Sequence, residues 1–364
     1  MTPWIIGMIT KYIPSTAKPH TGDTPLALPP LLPSAHSRVR IRFRMIHIAT
    51  PNPAAGMASP STSRTPQLAL PPLSSVPASA LVAPSPSTPM SNALHAIIHH
   101  KHDEVDAARK LVPVEEMAAR ARAAPEPRNF FRRIADFVDL YGFAVIAEIK
   151  RKSPSAGWLR PEYENPAFDP VPIAQGYQRA GAAAISCLTD QRFFAGDNAY
   201  IQRIRNSVNL PVLRKDFIVD PWQVYESRAI GADAILLIAD VLPIGRLLDL
   251  LILATELRLT TLLEVHDTER LLEVRPHVGF PHPGYVLLGV NNRDLTTMTT
   301  DLNHTLRMLD LIEDKSILVS ESGISQPAHL RRLRDNGVKI ALIGEHLMRT
   351  DNPGAALADL IGDP

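Results

Sequence analysis

From residue 140 onward the chain alternates between two textures. Short apolar, β-branched runs occur at FAVIAEI (143–149), AAISCLT (183–189), LPVLRKDF (210–217), ADAILLIAD (232–240), TTLLEVHD (260–267), YVLLGVNN (285–292), SILVSES (316–322) and IALIGEH (340–346). Most of the intervals carry an amphipathic helical stretch, such as PWQVYESRAIG or PAHLRRLRDNG, closed by a glycine suited to a helix C-terminus. A strand with one wet face would alternate apolar and polar residues; these runs are nearly continuous, so both faces are covered. Eight such strands alternating with helices predict an α/β protein in which a parallel sheet closes into a (β/α)8 TIM barrel. An open doubly wound sheet is the alternative. It would normally show a Gly-rich turn after its first strand, and SPSAG lacks the spacing of a dinucleotide fingerprint.

Ahead of the barrel pattern, NALHAIIHHKHDEVDAARKLVPVEEMAARARAA places apolar residues at Leu94, Ile97, Ile98, Val105, Leu111, Val114 and Met117, interrupted by Pro113. That spacing predicts two helices. His95, His99, His100 and His102 include positions four apart that share a helix face, but no carboxylate or cysteine completes a convincing ligand set, so they read as solvated helix histidines.

Composition then divides the chain. Residues 1–90 hold half of the 34 prolines and a single acidic residue, Asp23, and LALPPLLPS and LALPPLSSVPAS keep no sustained period. Such a segment buries too little apolar surface to offset its ordering entropy and is expected to be a disordered Pro/Ser/Ala-rich extension, with the folded domain at 91–364. Its acid-poor, Arg-bearing composition also resembles an organellar transit peptide, and Met90 is an alternative start. WIIGMI is too short to span a bilayer. With 38 basic and 37 acidic residues the net charge is +1, which gives no electrostatic case for nucleic acid or an anionic membrane. The lone Cys187 excludes an internal disulfide and a Cys-based zinc site, in keeping with a reducing compartment.

The candidate chemistry lies at the strand ends. Glu148 and Lys150 are two apart and therefore project from one face of the first strand, where a purely structural strand has no use for opposite charges. Arg214, Lys215 and Asp216 end the third run, Glu264 the fifth, Asn291, Asn292 and Arg293 the sixth, Glu321 and Ser322 the seventh, and Gly344 and Glu345 the eighth. In a (β/α)8 barrel these ends form the catalytic mouth. Each alone reads equally well as a rim ion pair or a helix cap. Glu148, Lys215 and Glu264 together do not, because unpaired buried charges are costly and three strands repeat the anomaly. Gly323 and Gly344 follow the last two strands, where backbone N–H groups usually bind phosphate, so a phosphorylated small molecule is expected. Lysines beside apolar walls or other cations are expected to have lowered pKa values.

AEIKRKSPSAG, LRKDFIVDPWQVYESRAIGADAILLI, LLEVHD, GVNNRDL, SESGI and LIGEHLM, in that order, resemble indole-3-glycerol phosphate synthase over roughly residues 91–361. The resemblance implies decarboxylating ring closure of 1-(2-carboxyphenylamino)-1-deoxyribulose 5-phosphate to an indole, with no metal and no cofactor. It implies Lys215 as general acid, Glu264 as general base and Lys150 as a substrate-binding cation that assists dehydration. Glu148 and Asn291 would orient the reacting hydroxyl and carbonyl region, supported by Glu321, Arg293 and Ser322. Phosphate would sit on the backbone around Gly323, Gly344 and Glu345, with Ser153 close by and Phe194 against the anthranilate ring. Glu345, Asp197 and Ala156 stand where the family often has serine, serine and lysine; none of the three removes an acid or a base. A cytoplasmic monomer or weak homodimer follows, with other enzymes of the tryptophan pathway as candidate partners and a plastid as the alternative address. Two rivals stay open: the pathway's neighbouring isomerase, which would carry a cysteine at the first strand end, and a catalytically idle scaffold.

Overall fold

The computed structural model describes residues 92–294 and 299–362. The expectations for residues 1–90 lie outside them. Eight parallel strands close into a barrel: β1 Ala144–Ile149, β2 Ala184–Leu188, β3 Val212–Lys215, β4 Ala234–Ile238, β5 Thr260–Val265, β6 Val286–Asn291, β7 Leu318–Glu321 and β8 Ile340–Ile343. Each falls within one of the eight apolar runs. Closure comes from β1 pairing with β8, with Val145 opposite Ala341 and Ile146 opposite Leu342.

The period of two explains why the strands read as continuously apolar. Ala144, Ile146, Leu213, Leu236, Leu262, Leu287, Val319, Ile340 and Leu342 pack together inside the barrel, whereas Val145, Ala147, Ile149, Val212, Ile235, Leu237, Leu263, Leu288 and Ala341 pack in a separate outer cluster that includes residues of the surrounding helices. Both faces are dry, as a closed parallel sheet requires.

Among the described residues three helices precede the barrel. The two predicted around Pro113 are α1 Asn92–Leu111 and α2 Val114–Ala123. The third, α3 Phe130–Tyr141, begins at Asn129, whose side chain accepts from the Arg132 N–H, and ends at Gly142 in the left-handed region. Its Phe130, Ile134 and Val138 join the inner cluster, each contributing about 1.5–3 kcal/mol of apolar burial. α3 thus closes the barrel end opposite the catalytic mouth. The α2–α3 linker is pinned there too, Arg128 donating to the Leu210 and Arg205 carbonyls at 2.7 and 2.9 Å. Among the described residues no helix is long and apolar enough to cross a membrane.

Candidate active site

Carried past the strand ends, the inward alternation decides which charges reach the mouth. Glu148 continues the inward set Ala144 and Ile146, Lys215 follows Leu213, Glu264 follows Leu262, Asn291 and Gly289 follow Leu287, Glu321 follows Val319, and Gly344 follows Leu342. The thirteen residues to which the family resemblance gives a role, Glu148, Lys150, Ser153, Phe194, Lys215, Glu264, Asn291, Arg293, Glu321, Ser322, Gly323, Gly344 and Glu345, line one cavity of about 420 Å³.

Lys215 lines that cavity between two carboxylates. Its Nζ lies 3.1 Å from Glu264 Oε2 and 3.2 Å from Glu321 Oε2. Burial alone would lower the ammonium's pKa, but Glu264, Glu321 and Glu148 outweigh it and hold the pKa above the usual lysine range. The expectation of a lowered lysine pKa is therefore wrong for Lys215: its neighbours are carboxylates, and the apolar wall is the weaker influence. Burial would raise Glu264, yet Lys215 and His266 hold it well below the usual carboxylate range. Glu321 goes the other way. Burial, with Glu264 alongside, pushes it up to about 8 against the pull of Lys215. Two carboxyls around one ammonium are thus driven apart, one toward a base and one toward a held proton.

Small residues make room for these side chains. A Cβ on Gly289 would run into the Glu321 carboxylate, and one on Gly344 would come within 2.9 Å of Glu148 Cβ. Across the mouth, Lys150 Nζ pairs with Glu148 Oε1 at 2.9 Å, the two-residue spacing expressed as a contact. Asn291 donates to Glu264 Oε1 at 3.2 Å and accepts from Ser322 Oγ at 2.8 Å. Ser322 itself has φ +68, a conformation that is rare outside glycine and persists where surrounding structure enforces it. At the rim Arg293 reaches Ser155 Oγ at 2.6 Å and Glu345 at 2.8 Å, and Glu345 also meets Arg349 at 3.0 Å. Ser153 is buried, its Oγ accepting from the Ala156 N–H. Phe194 faces Phe217 with ring centroids 6.0 Å apart, and with Leu94 and Ile97 of α1 supplies apolar wall.

Two polar strand-end residues point elsewhere. Arg214 is on the outer face, bonded to Thr189, Ser227, Asp216 and Glu226, and Asn292 lies behind the sheet with Ser320 and Thr305. Both obey the alternation, being one residue out of phase with Lys215 and Asn291. His99 pairs with Asp103, and His100 contacts Glu104 and Arg192; among the described residues no group of three His, Cys, Asp or Glu side chains could hold a metal.

Sequence reasoning missed two residues. Lys101, fully buried on α1, contacts Asp190 and Asp216 at 3.0 Å each and Glu104 at 3.1 Å. His266 lies between Asp240 and Glu264. The spacing of Leu94, Ile97, Lys101 and Val105 on one helix face was the available signal for the first, and the Glu264–His266 repeat of the Glu148–Lys150 spacing for the second.

A (β/α)8 barrel whose mouth holds an ammonium between two divergent carboxyls is the frame of an acid–base enzyme. Residues 94–360 match the family Indole-3-glycerol phosphate synthase. The chain is 43% identical over 273 residues to the indole-3-glycerol phosphate synthase of Aromatoleum aromaticum, and 43% identical over 277 residues to that of Polaromonas naphthalenivorans, covering 75% of this chain and 100% of each relative. Among solved structures, tryptophan synthase subunit alpha from Legionella pneumophila str. Paris is similar over 64% of this chain and 97% of its own, with TM-score 0.46 and 14% identity, a distance at which nothing about function follows. The chain belongs to the indole-3-glycerol phosphate synthase family, carboxy-lyases of tryptophan biosynthesis.

Proposed function

We propose that the barrel mouth carries out the family reaction with Lys215 as general acid and Glu264 as general base. In that reaction 1-(2-carboxyphenylamino)-1-deoxyribulose 5-phosphate closes to indole-3-glycerol phosphate, carbon dioxide and water. The observation that carries the assignment is the 3.1 Å contact between Lys215 Nζ and Glu264 Oε2 inside the cavity, with Lys150 and Glu148 forming a second pair at its mouth.

The roles follow from what each group can do with a proton. Ring closure turns the substrate ketone into a hydroxyl as the ring carbon attacks, so an N–H must be aimed at the carbonyl oxygen, and Lys215 is held as the ammonium. Expulsion of carbon dioxide restores the aromatic ring. Loss of the hydroxyl then needs a base for the C–H proton and an acid for the leaving oxygen. Glu264, kept ionised, takes the first role, and Lys150 assists the second. A proton taken by Glu264 returns directly to Lys215, its neighbour. Since a carboxylate leaves as neutral carbon dioxide, each turnover consumes one proton.

Glu148, Asn291, Glu321 and Ser322 orient the reacting hydroxyls; Gly323, Gly344 and Glu345 offer backbone to the phosphate, with Ser153 and Arg293 at its edge; Phe194 flanks the anthranilate ring. The test is an indole-fluorescence assay of purified protein with the carboxyphenylamino substrate. Wild type is expected to form indole product, and Lys215→Ala to lose about 10²- to 10⁴-fold in kcat with an unchanged circular dichroism spectrum. Absence of product from wild type overturns the reading. We also place the enzyme in the cytoplasm as a monomer or weak homodimer. Residues 1–90 fused to a fluorescent protein would reveal a plastid address instead, and sedimentation would reveal a stable dimer.

A further inference from the structure

Glu264 on β5 and His266 just past its end are two apart, so both side chains project from the same face; Glu264 lines the cavity, and His266 stands beside it against Asp240. His266 Nε2 is 3.1 Å from Glu264 Oε1, close enough for an ion pair but not aligned as a hydrogen bond, and contacts of this kind commonly align only in the Michaelis complex. The other ring nitrogen, Nδ1, is 2.9 Å from Asp240 Oδ2 in the turn Ala239–Val241 that follows β4. That turn is held in place: Arg270 donates to the Ala239 and Leu242 carbonyls on either side of Asp240. A carboxylate on each nitrogen calls for an N–H at both, which is the imidazolium. Burial would lower the ring's pKa, but Asp240 and Glu264 outweigh it and raise it to about 10.

We propose that His266, clamped by Asp240, is a positioning residue for the general base: it fixes the Oε1 edge of Glu264 and remains the cation on that carboxylate after Lys215 has given up its proton. This rests on the assignment of Lys215 and Glu264 above.

The two edges of Glu264 have different neighbours. Oε2 faces Lys215, the group that changes charge during ring closure; Oε1 faces His266 and Asn291, which do not. The groups around the pair are Lys215 from β3, Asp240 after β4, Asn291 from β6, Glu321 from β7 and His304, whose Nε2 lies 2.8 Å from the His266 carbonyl. Once Lys215 is a neutral amine, Glu264 and Glu321 are adjacent carboxyls with no ammonium between them. Neighbouring buried carboxyls favour protonation of one of the two. A Glu264 that took up a proton then would be unable to accept the C–H proton later. The imidazolium on its far edge biases that choice toward Glu321 throughout the cycle.

The test compares kcat and KM across pH for wild type, His266→Gln and Asp240→Asn, with melting temperature as a control on folding. Glutamine retains hydrogen bonding without charge, so KM should stay within about twofold while kcat at neutral pH falls about tenfold, short of the loss of the base itself. The acid limb of kcat should move to higher pH, because Glu264 no longer has its second cation. Asp240→Asn leaves His266 with one carboxylate instead of two, so its pKa drops, and activity should acquire a decline with rising pH in the neutral range that wild type lacks. Wild-type kcat with an unmoved acid limb in His266→Gln, or an Asp240→Asn profile superimposable on wild type, overturns the proposal. Should His266→Gln fail to fold, the Asp240→Asn profile alone decides, since Asp240 sits outside the core at the rim. An active wild type with unaffected variants sinks only this inference; an inactive wild type sinks the functional reading with it.

Discussion

Lys101, in the middle of α1, and Asp216, the residue after Lys215, are 3.0 Å apart and both shut away from solvent. The same lysine reaches Asp190, whose carboxylate caps the short helix carrying Phe194 by accepting from the Phe193 and Phe194 N–H groups. A helix that precedes the barrel is therefore tied to the backbone on either side of the aromatic wall and the acid. Lys101→Met keeps the length and removes the charge. It should destabilise the protein by about 3–5 kcal/mol, the range for breaking a buried ion pair from one side. Urea unfolding measures that, and kinetics of the folded fraction should show a raised KM as Phe194 loses its fixed position. Wild-type stability in this variant would refute the coupling.

The Glu148–Lys150 pair distinguishes a rim ornament from a binding device. If the two merely neutralised each other, replacing both by glutamine would leave stability and turnover close to wild type. Lys150→Gln is expected chiefly to raise KM for the carboxylated, phosphorylated substrate, and Glu148→Gln chiefly to lower kcat. Markedly lower stability with normal kinetics would make the pair structural.

Gly344→Ala places a methyl within 2.9 Å of Glu148 Cβ, too close to the side chain's root for a rotamer change at its tip to relieve. The overpacking should cost about 1–3 kcal/mol and displace Glu148. The measurement is a side-by-side thermal melt and assay: kcat should fall as in Glu148→Gln, and an unaltered kcat would show that Glu148 need not be where it is.

Stability should decline toward alkaline pH. The folded-state pKa of His266 is raised from 6.5 to about 10, so its contribution is fully present below 6.5 and lost as pH rises through 10. Glu321, raised from 4.5 to about 8, adds to the decline between those values, because the folded chain binds the extra proton there. Urea midpoints from pH 6 to 10 should fall, and His266→Gln should flatten the upper part of the curve.

The strands were legible because burial on both faces writes itself into consecutive residues; so were Glu148, Lys215 and Glu264, since charge at the end of such a run stands out. The α3 helix, which went unread, carried local signals in Asn129 and Gly142. Lys101 was of another kind. Within HHKHDE it is one more polar residue on a helix, and only Asp190 and Asp216, distant in sequence, make it a buried cation. His266 likewise acquires its charge from Asp240 on a neighbouring strand's loop. Arg214 and Asn292 were overread for the opposite reason: a cluster of polar residues at a strand end drew attention to all members, though alternation sends every second one outward.

The barrel closes by setting its first strand beside its last, which brings Gly344 against Glu148. During synthesis Glu148 and Lys150 emerge before the strip that completes their side of the pocket. Without that strip the pair lacks the Gly344 wall of its pocket. The pocket is therefore complete only when the eighth strand is in place beside the first.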